Sequence, residues 1–234
     1  MREVHRMTVR TIIVAGGAGK RMGGRNAKQY LLLGGKSILM RTIERFASLP
    51  FSSQTIVLVV PPSDIDYVDG EIVCPAGLSR VVRIVPGGER RQDSVWNGLT
   101  MTSGDDDITM IHDGVRPFVT ERIIMDTVEE AVRSGAAVAG IPVSDTVKRV
   151  SESGTVVSTV DRSGLWVAQT PQAFKTPLIM KAYEEGFRDG YMGTDDASLV
   201  ERMGHAVTMV HGSRTNIKIT TPEDLRFGEW LLSQ

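Results

Sequence analysis

One cysteine in 234 residues leaves no partner for an internal disulfide. The fold must therefore hold by packing, and the lone thiol of Cys74 suits a reducing compartment; it is read as a small semi-buried hydrophobe with no chemistry of its own. Aromatic residues are only 6%, so an aliphatic core is expected. Neither sign of charge dominates: 27 Lys and Arg stand against 28 Asp and Glu, a net charge of -1. A balance of that kind gives no general field for nucleic acid or an anionic membrane, so neither is expected as a partner, and any anion must be met by a local cluster of cations. The charged opening MREVHRM is followed by an apolar run far too short to span a bilayer, and no signal sequence is expected of it. The expected location is the cytoplasm. Repeats, low-complexity tracts and composition breaks are missing too, and residues 1–234 are expected to form one domain.

What the chain does contain is an alternation of short β-branched runs and helical patterns. Val9 to Ala15, Thr55 to Val60, Val81 to Val85, Ile108 to Ile111 and Ala136 to Ile141 read as strands buried on both faces. Between them lie helices with apolar residues at helical spacing, one opened by Ser37 and carrying Leu39, Ile43, Phe46 and Ala47, others over about Asp93 to Leu99 and Glu121 to Arg133. The alternation predicts an α/β fold, a mostly parallel Rossmann-like sheet flanked by helices. Past Pro142 the rhythm changes. Two β-rich runs around Val147 and Val157, separated by Ser151 to Gly154, predict a protruding β-hairpin arm at about 142–165. Such a ribbon is marginal alone, which predicts that it reaches into a second copy of the chain. Helices over Pro177 to Arg188 and Asp195 to Met203, a strand over Ala206 to His211, a short run Asn216 to Thr220 and a last helix opened by Thr221 and Pro222 complete the reading.

In parallel sheets ligands sit beyond the carboxyl ends of the strands, which directs attention to the loops GGAGKRMGG, PGGERRQDS and HDGVRPF. The first is neither of two common phosphate motifs: a Walker loop would need glycine at Val14 and a hydroxyl at Arg21, and a dinucleotide fingerprint would need glycine at Met22. It nonetheless places five glycines beside Lys20, Arg21, Arg25 and Lys28, with no acid between residues 16 and 30. Backbone N–H groups and cations together suit a triphosphate. Asp105 to Asp107 precede their strand, at the end of the sheet away from these loops, and read as a solvated turn; Arg90 and Arg91 read as a surface pair at a helix start. His112, His205 and His211 lack metal-ligand spacing and read as packing residues.

AGGAGKRM with AKQY, GGERRQDSV, HDGVRPF, SDTVKRV, TVDRSGLW, TPQAF, TDDASLV and NIKIT, in that order along nearly the whole chain, resemble the 2-C-methyl-D-erythritol 4-phosphate cytidylyltransferases. The resemblance implies CMP transfer from CTP to the methylerythritol phosphate with release of pyrophosphate. It assigns Arg21 and Lys28 to the charge on the α-phosphate and leaving group, and Arg162 and Lys218 to placing the attacking phosphate. Ala15, Gly16, Gly17, Gly19, Gly88, Glu89 and Ser94 would hold the nucleotide; Arg116, Thr146, Thr170, Thr194 and Asp195 would line the site of the polyol phosphate. Thr194 and Asp195 can equally be a helix cap and first-turn acid. Mg²⁺ is expected on the phosphates of CTP. Asp113 is the protein group for a contact to it, or else a carboxylate that orients Arg116. The arm would make a homodimer, with Thr146 and Arg162 near its base reaching the partner's site. Two departures stand out: Ala27 precedes the lysine where the family usually has proline, and Gly16-Gly17 replaces alanine-glycine. Two other readings share these loops, a ribitol 5-phosphate cytidylyltransferase and a CTP-binding dimer without catalysis.

Overall fold

The computed structural model describes residues 7–16, 27–51, 53–101 and 107–234. Its first strand, β1 (Thr8–Val14), leads to a single 3-10 turn at Lys28–Tyr30 and a small hairpin of β2 (Leu32–Leu33) and β3 (Lys36–Ser37). Helix α1 (Ile38–Ala47) starts where Ser37 accepts the Met40 N–H, and its buried stripe of Leu39, Ile43 and Phe46 follows the expected spacing. Next come β4 (Ser53–Val60), a short helix α2 (Ile65–Val68) running into a π-turn, β5 (Val82–Pro86) and α3 (Arg91–Thr100). Then follow β6 (Ile108–Asp113), α4 (Glu121–Ser134) and β7 (Ala136–Pro142). The arm is an antiparallel pair, β8 (Val147–Val150) with β9 (Val156–Val160). It returns into β10 (Trp166–Lys175), α5 (Thr176–Arg188), α6 (Asp196–Arg202), β11 (Thr208–His211) and α7 (Pro222–Leu232).

Seven strands make one sheet in the order β11-β7-β10-β6-β1-β4-β5. All neighbours pair parallel except β10, which runs antiparallel between β6 and β7. The sequence reading missed β10, and it extended no strand through TPQAF. It also read Asn216 to Thr220 as a possible further run. That segment forms no strand, although Ile219 N–H bonds the Val115 carbonyl at 2.9 Å. Two apolar layers cover the sheet: α1 and α4 pack residues such as Leu39, Ile43 and Ile124 on one face, while Val95, Leu99, Ile179 and Leu199 cover the other. Cys74 is exposed and not semi-buried, because it ends the π-turn on the surface. Asp107 accepts the Thr8 N–H and hydroxyl and so ties the amino ends of β1 and β6, while Asp105 and Asp106 lie outside the described residues. Among the described residues no helix is long and apolar enough to cross a membrane.

A close approach in this layer fixes α3 on the sheet. A Cβ added to Gly98 would sit 2.8 Å from Ile12 Cγ2, a fully buried β1 side chain with nowhere to move. Helix propensity alone favours replacing a mid-helix glycine by about 1 kcal/mol. The contact should reverse that sign: Gly98→Val is expected to destabilise by about 1–3 kcal/mol through overpacking, read by denaturant unfolding.

Candidate active site

Three strand ends converge on the site. Ala15 and Gly16 follow β1 directly, Gly88 follows β5, and Asp113 is the last residue of β6. The Ala15 N–H bonds Val59 O at 2.8 Å and Gly87 N–H bonds Val60 O at 2.7 Å, so the first two loops are extensions of the ladder. Ser94, one turn into α3, accepts the Gly88 N–H at 3.0 Å and donates its single hydrogen to the Arg90 carbonyl at 3.0 Å. Lys28 enters on the 3-10 turn. These residues enclose a cavity of about 330 Å³ lined by Ala15, Gly16, Lys28, Gly88, Glu89 and Ser94 and closed by Arg91, Asp113 and Lys218. That volume is within the range of small-ligand sites. Gly17, Gly19 and Arg21, with Lys20 and Arg25, lie outside the described residues.

A second cavity of about 320 Å³ lies against the first. Its lining includes Arg116, Gln169, Thr170, Thr194 and Asp195, and it shares Arg91, Asp113 and Lys218 with its neighbour. Thr170 arrives there because the pairing of β10 with β7 shifts register between Ala168 and Gln172, an irregularity that re-aims side chains. Asp195 performs both tasks foreseen for it: it lines the cavity and caps α6 by accepting the Ser198 N–H at 3.0 Å. Thr146 and Arg162 line neither cavity. Both are exposed at the base of the arm, where Arg162 donates to the Ser144 carbonyl.

The shared wall is a charge cluster centred on Asp113. Lys218 approaches its Oδ2 at 2.9 Å, Arg116 the same oxygen at 3.4 Å and Arg91 its Oδ1 at 3.7 Å. Burial alone would raise the Asp113 carboxyl, but these three cations outweigh it and hold it well below the usual range. Lys218 is aimed by period-two alternation. Ile219 is fully buried with Leu33, Ile38 and Val115, and Ile217 packs on the same cluster, so the lysine between them faces the opposite way.

Arg91 departs from the sequence reading. Only Arg90 is a surface pair residue, bound to Asp93 at 2.7 Å. Arg91 turns inward and grips both oxygens of the fully buried Asp196, at 2.9 and 2.7 Å, while the Tyr183 hydroxyl donates to the same carboxylate at 2.5 Å. Burial would lower its basicity, but Asp196 and Asp113 raise it overall. Composition carried no signal of this, since the partner is 105 residues away.

His112 is also more than a packing residue. Its Nε2 stands 3.1 Å from the Arg116 carbonyl and its Nδ1 3.0 Å from the Thr170 hydroxyl. Burial pushes the imidazole down to about 4, against an opposing pull from the Arg116 carbonyl and Asp113. A folded value below the ordinary 6.5 means that its stabilising contribution is complete above that pH and is lost as pH falls toward 4. The contribution is on the order of 3 kcal/mol. Wild-type protein is therefore expected to lose about that much more unfolding free energy than His112→Asn between pH 6.5 and 4; equal slopes would contradict a buried neutral imidazole.

Among the described residues no three His, Cys, Asp or Glu side chains gather to hold a metal. One carboxylate, Asp113, faces both cavities, a donor set that fits a Mg²⁺ ligated mainly by phosphate oxygens and water.

Residues 9–234 match the family model described as IspD: 2-C-methyl-D-erythritol 4-phosphate cytidylyltransferase. The chain is 50% identical over 223 residues to the Syntrophus aciditrophicus protein of that name, covering 95% of each. Its fold superposes on the crystal structure of 4-diphosphocytidyl-2C-methyl-D-erythritol synthase from Anaerococcus prevotii with a TM-score of 0.85, at 30% identity and complete coverage of both chains. A second similar structure, the 2-C-methyl-D-erythritol 4-phosphate cytidylyltransferase of Thermus thermophilus, gives a TM-score of 0.78 at 31% identity, covering 95% of this chain and 98% of that one.

Proposed function

Because the chain belongs to the 2-C-methyl-D-erythritol 4-phosphate cytidylyltransferase family, we propose that its two adjoining cavities hold the two substrates of that reaction and that chemistry occurs at their shared wall. The enzyme transfers CMP from CTP to 2-C-methyl-D-erythritol 4-phosphate in the non-mevalonate pathway of isoprenoid synthesis. CTP takes the first cavity. Its base rests on Ala15, Gly16, Gly88 and Glu89, and its triphosphate extends toward Lys28, with Gly17, Gly19 and Arg21 supplied by the glycine-rich loop. Ser94 has already spent its hydrogen on Arg90 O, so toward a base it can only accept. That suits the amino group of cytosine and opposes the carbonyl that uracil has in its place.

The methylerythritol phosphate takes the second cavity, beside Arg116, Thr170, Thr194 and Asp195. One of its phosphate oxygens attacks the α-phosphorus of CTP; the new P–O bond forms as the bond to the β-phosphate breaks, and pyrophosphate leaves with the electron pair. A phosphomonoester is largely dianionic at neutral pH, so no side chain need remove a proton. The work of the protein is to hold two polyanions together and neutralise them. Lys218 and Arg116 face the incoming phosphate, Lys28 and Arg21 the leaving group, and Asp113 keeps Lys218 and Arg116 in register. Asp113 is also the residue that would hold Mg²⁺ carried by CTP, which when bound adds positive charge to the phosphates. The observation that carries the reading is the common wall of Arg91, Asp113 and Lys218 between two cavities of similar size.

The arm is proposed to join two copies as a homodimer, because Val150, Val156 and Val157 leave more than half of their surface exposed on a two-stranded ribbon. Thr146 and Arg162 would then complete the second cavity of the other copy. The one-domain, cytoplasmic reading of the chain is retained alongside it. The test is initial-rate pyrophosphate release with Mg²⁺, CTP and either methylerythritol 4-phosphate or ribitol 5-phosphate. Turnover selective for the first is expected; preference for ribitol phosphate, or silence with both, would overturn the reading. Mixing inactive Arg162→Ala with inactive Lys218→Ala should restore activity, since each mixed dimer has one intact composite site. No recovery after subunit exchange would exclude shared sites.

A further inference from the structure

Resting on the assignment of substrates to the two cavities, we propose that His112 is a positioning residue for the polyol-phosphate half of the site, acting through the backbone of the turn that carries Asp113 and Arg116. His112 lines neither cavity. It nevertheless sits in a hydrogen-bond chain whose direction is fixed at every link. A carbonyl can only accept, so Nε2 carries the hydrogen that goes to Arg116 O at 3.1 Å. Nδ1 is then an acceptor, and the Thr170 hydroxyl at 3.0 Å must donate to it. The same Thr170 oxygen accepts the Asp113 N–H at 3.1 Å.

The chain therefore clamps the first amide and the last carbonyl of the turn 113–116, while Arg116 N–H closes the turn onto Asp113 O at 3.1 Å. The intervening carbonyls have partners too: Gly114 O shares the single Thr42 hydroxyl hydrogen with Ile38 O, at 3.2 and 3.0 Å, and Val115 O accepts from Ile219 N–H at 2.9 Å. The Thr170 hydroxyl, which accepts from Asp113 N–H and donates to His112 Nδ1, ties both ends of the turn to the irregular stretch of β10 that lines the second cavity, and Asn216 adds a link from the Arg116 guanidinium to the Thr170 carbonyl. Both ends of the Thr170–His112 link matter for the same ligand. Arg116 lines the second cavity and not the first, and its guanidinium is steered by Asp113 on one side and the Asn216 carbonyl at 2.8 Å on the other. Loosening Arg116 O should hence displace a cation that meets the polyol phosphate and leave the nucleotide cavity nearly as it was.

A purely structural role is the competing explanation, because the imidazole also packs on Phe46 with ring centroids 4.7 Å apart. The two differ in how the Michaelis constants split. Initial rates would be measured against each substrate in turn for wild type, His112→Phe and His112→Asn, with folding checked by circular dichroism and thermal unfolding. His112→Phe keeps a ring against Phe46 and loses both hydrogen bonds; the KM for methylerythritol phosphate is expected to rise on the order of tenfold, the worth of one buried hydrogen bond, with the KM for CTP within about twofold of wild type. His112→Asn keeps an acceptor for Thr170 and loses the donor to Arg116 O, so a smaller rise confined to the same substrate is expected. Unchanged constants in folded variants, or both constants moving together, would overturn the proposal. If His112→Phe fails to fold, the same criterion applied to His112→Asn decides. Wild-type protein silent with both substrates would instead defeat the functional reading on which the proposal rests.

Discussion

Lys218→Ala is expected to lower kcat/KM by about 10²–10³-fold, the loss found when one preorganised donor to developing phosphate or acyl charge is removed. Lys218 is the one cation of the described wall whose ammonium is both within 2.9 Å of Asp113 and open to both cavities. The fold should scarcely notice its loss. Its side chain is 39% exposed, and Asp113 retains Arg116 and Arg91 as neighbours. An arginine in its place should recover little, since a planar fork cannot reproduce the compact ammonium between two substrates. Steady-state rates beside an unfolding curve make the check: a folded variant within about threefold of wild type would remove Lys218 from the reaction.

The second large effect is on stability. Arg91→Ala should cost about 3–5 kcal/mol, because it strands the Asp196 carboxylate in the core with one hydroxyl, that of Tyr183, for company. For a chain of this size that is a fall in Tm on the order of 6–20 °C. Arg91→Leu combined with Asp196→Asn should recover much of the loss, since removing both charges spares the penalty of an unpaired one. A single variant melting within about 2 °C of wild type would show that the buried pair is not what joins α3 to α6. Activity should fall with Arg91 even where folding survives, as the guanidinium is part of the wall that both substrates meet.

These two residues also mark where sequence reading succeeds and where it stops. The strand ends and their loops were legible because each depends on local rules: β-branched runs, a serine or threonine at a helix start, glycines where the chain turns. Lys218 was pointed out by the resemblance, and the packing of Ile217 and Ile219 on either side of it is the structural reason that it faces the site. Arg90 and Arg91, by contrast, are adjacent and chemically alike, and only the direction of α3 and the distant Asp196 send one outward and the other inward. His112 is of the same kind, its meaning set by Thr170 at 58 residues' separation. Strand β10 was missed for a different reason. Its Gln169, Pro171 and Gln172 interrupt the apolar pattern, and proline is a poor guest in a central strand; the register shift between Ala168 and Gln172 is what accommodates it. Gly17, Gly19 and Arg21 rest on resemblance alone, since the loop that carries them is outside the described residues.

Direct attack at the shared wall, without a covalent enzyme intermediate, is tested most sharply by stereochemistry. Turnover of CTP carrying one sulfur at the α-phosphorus in a single configuration, with analysis of the product diphosphate, reads the number of displacements. Inversion is expected, because one phosphate oxygen displaces pyrophosphate in line across the boundary of the two cavities. Retention would contradict it, and would mean that a side chain at the wall, with Asp113 first in question, takes the cytidylyl group before the polyol phosphate does.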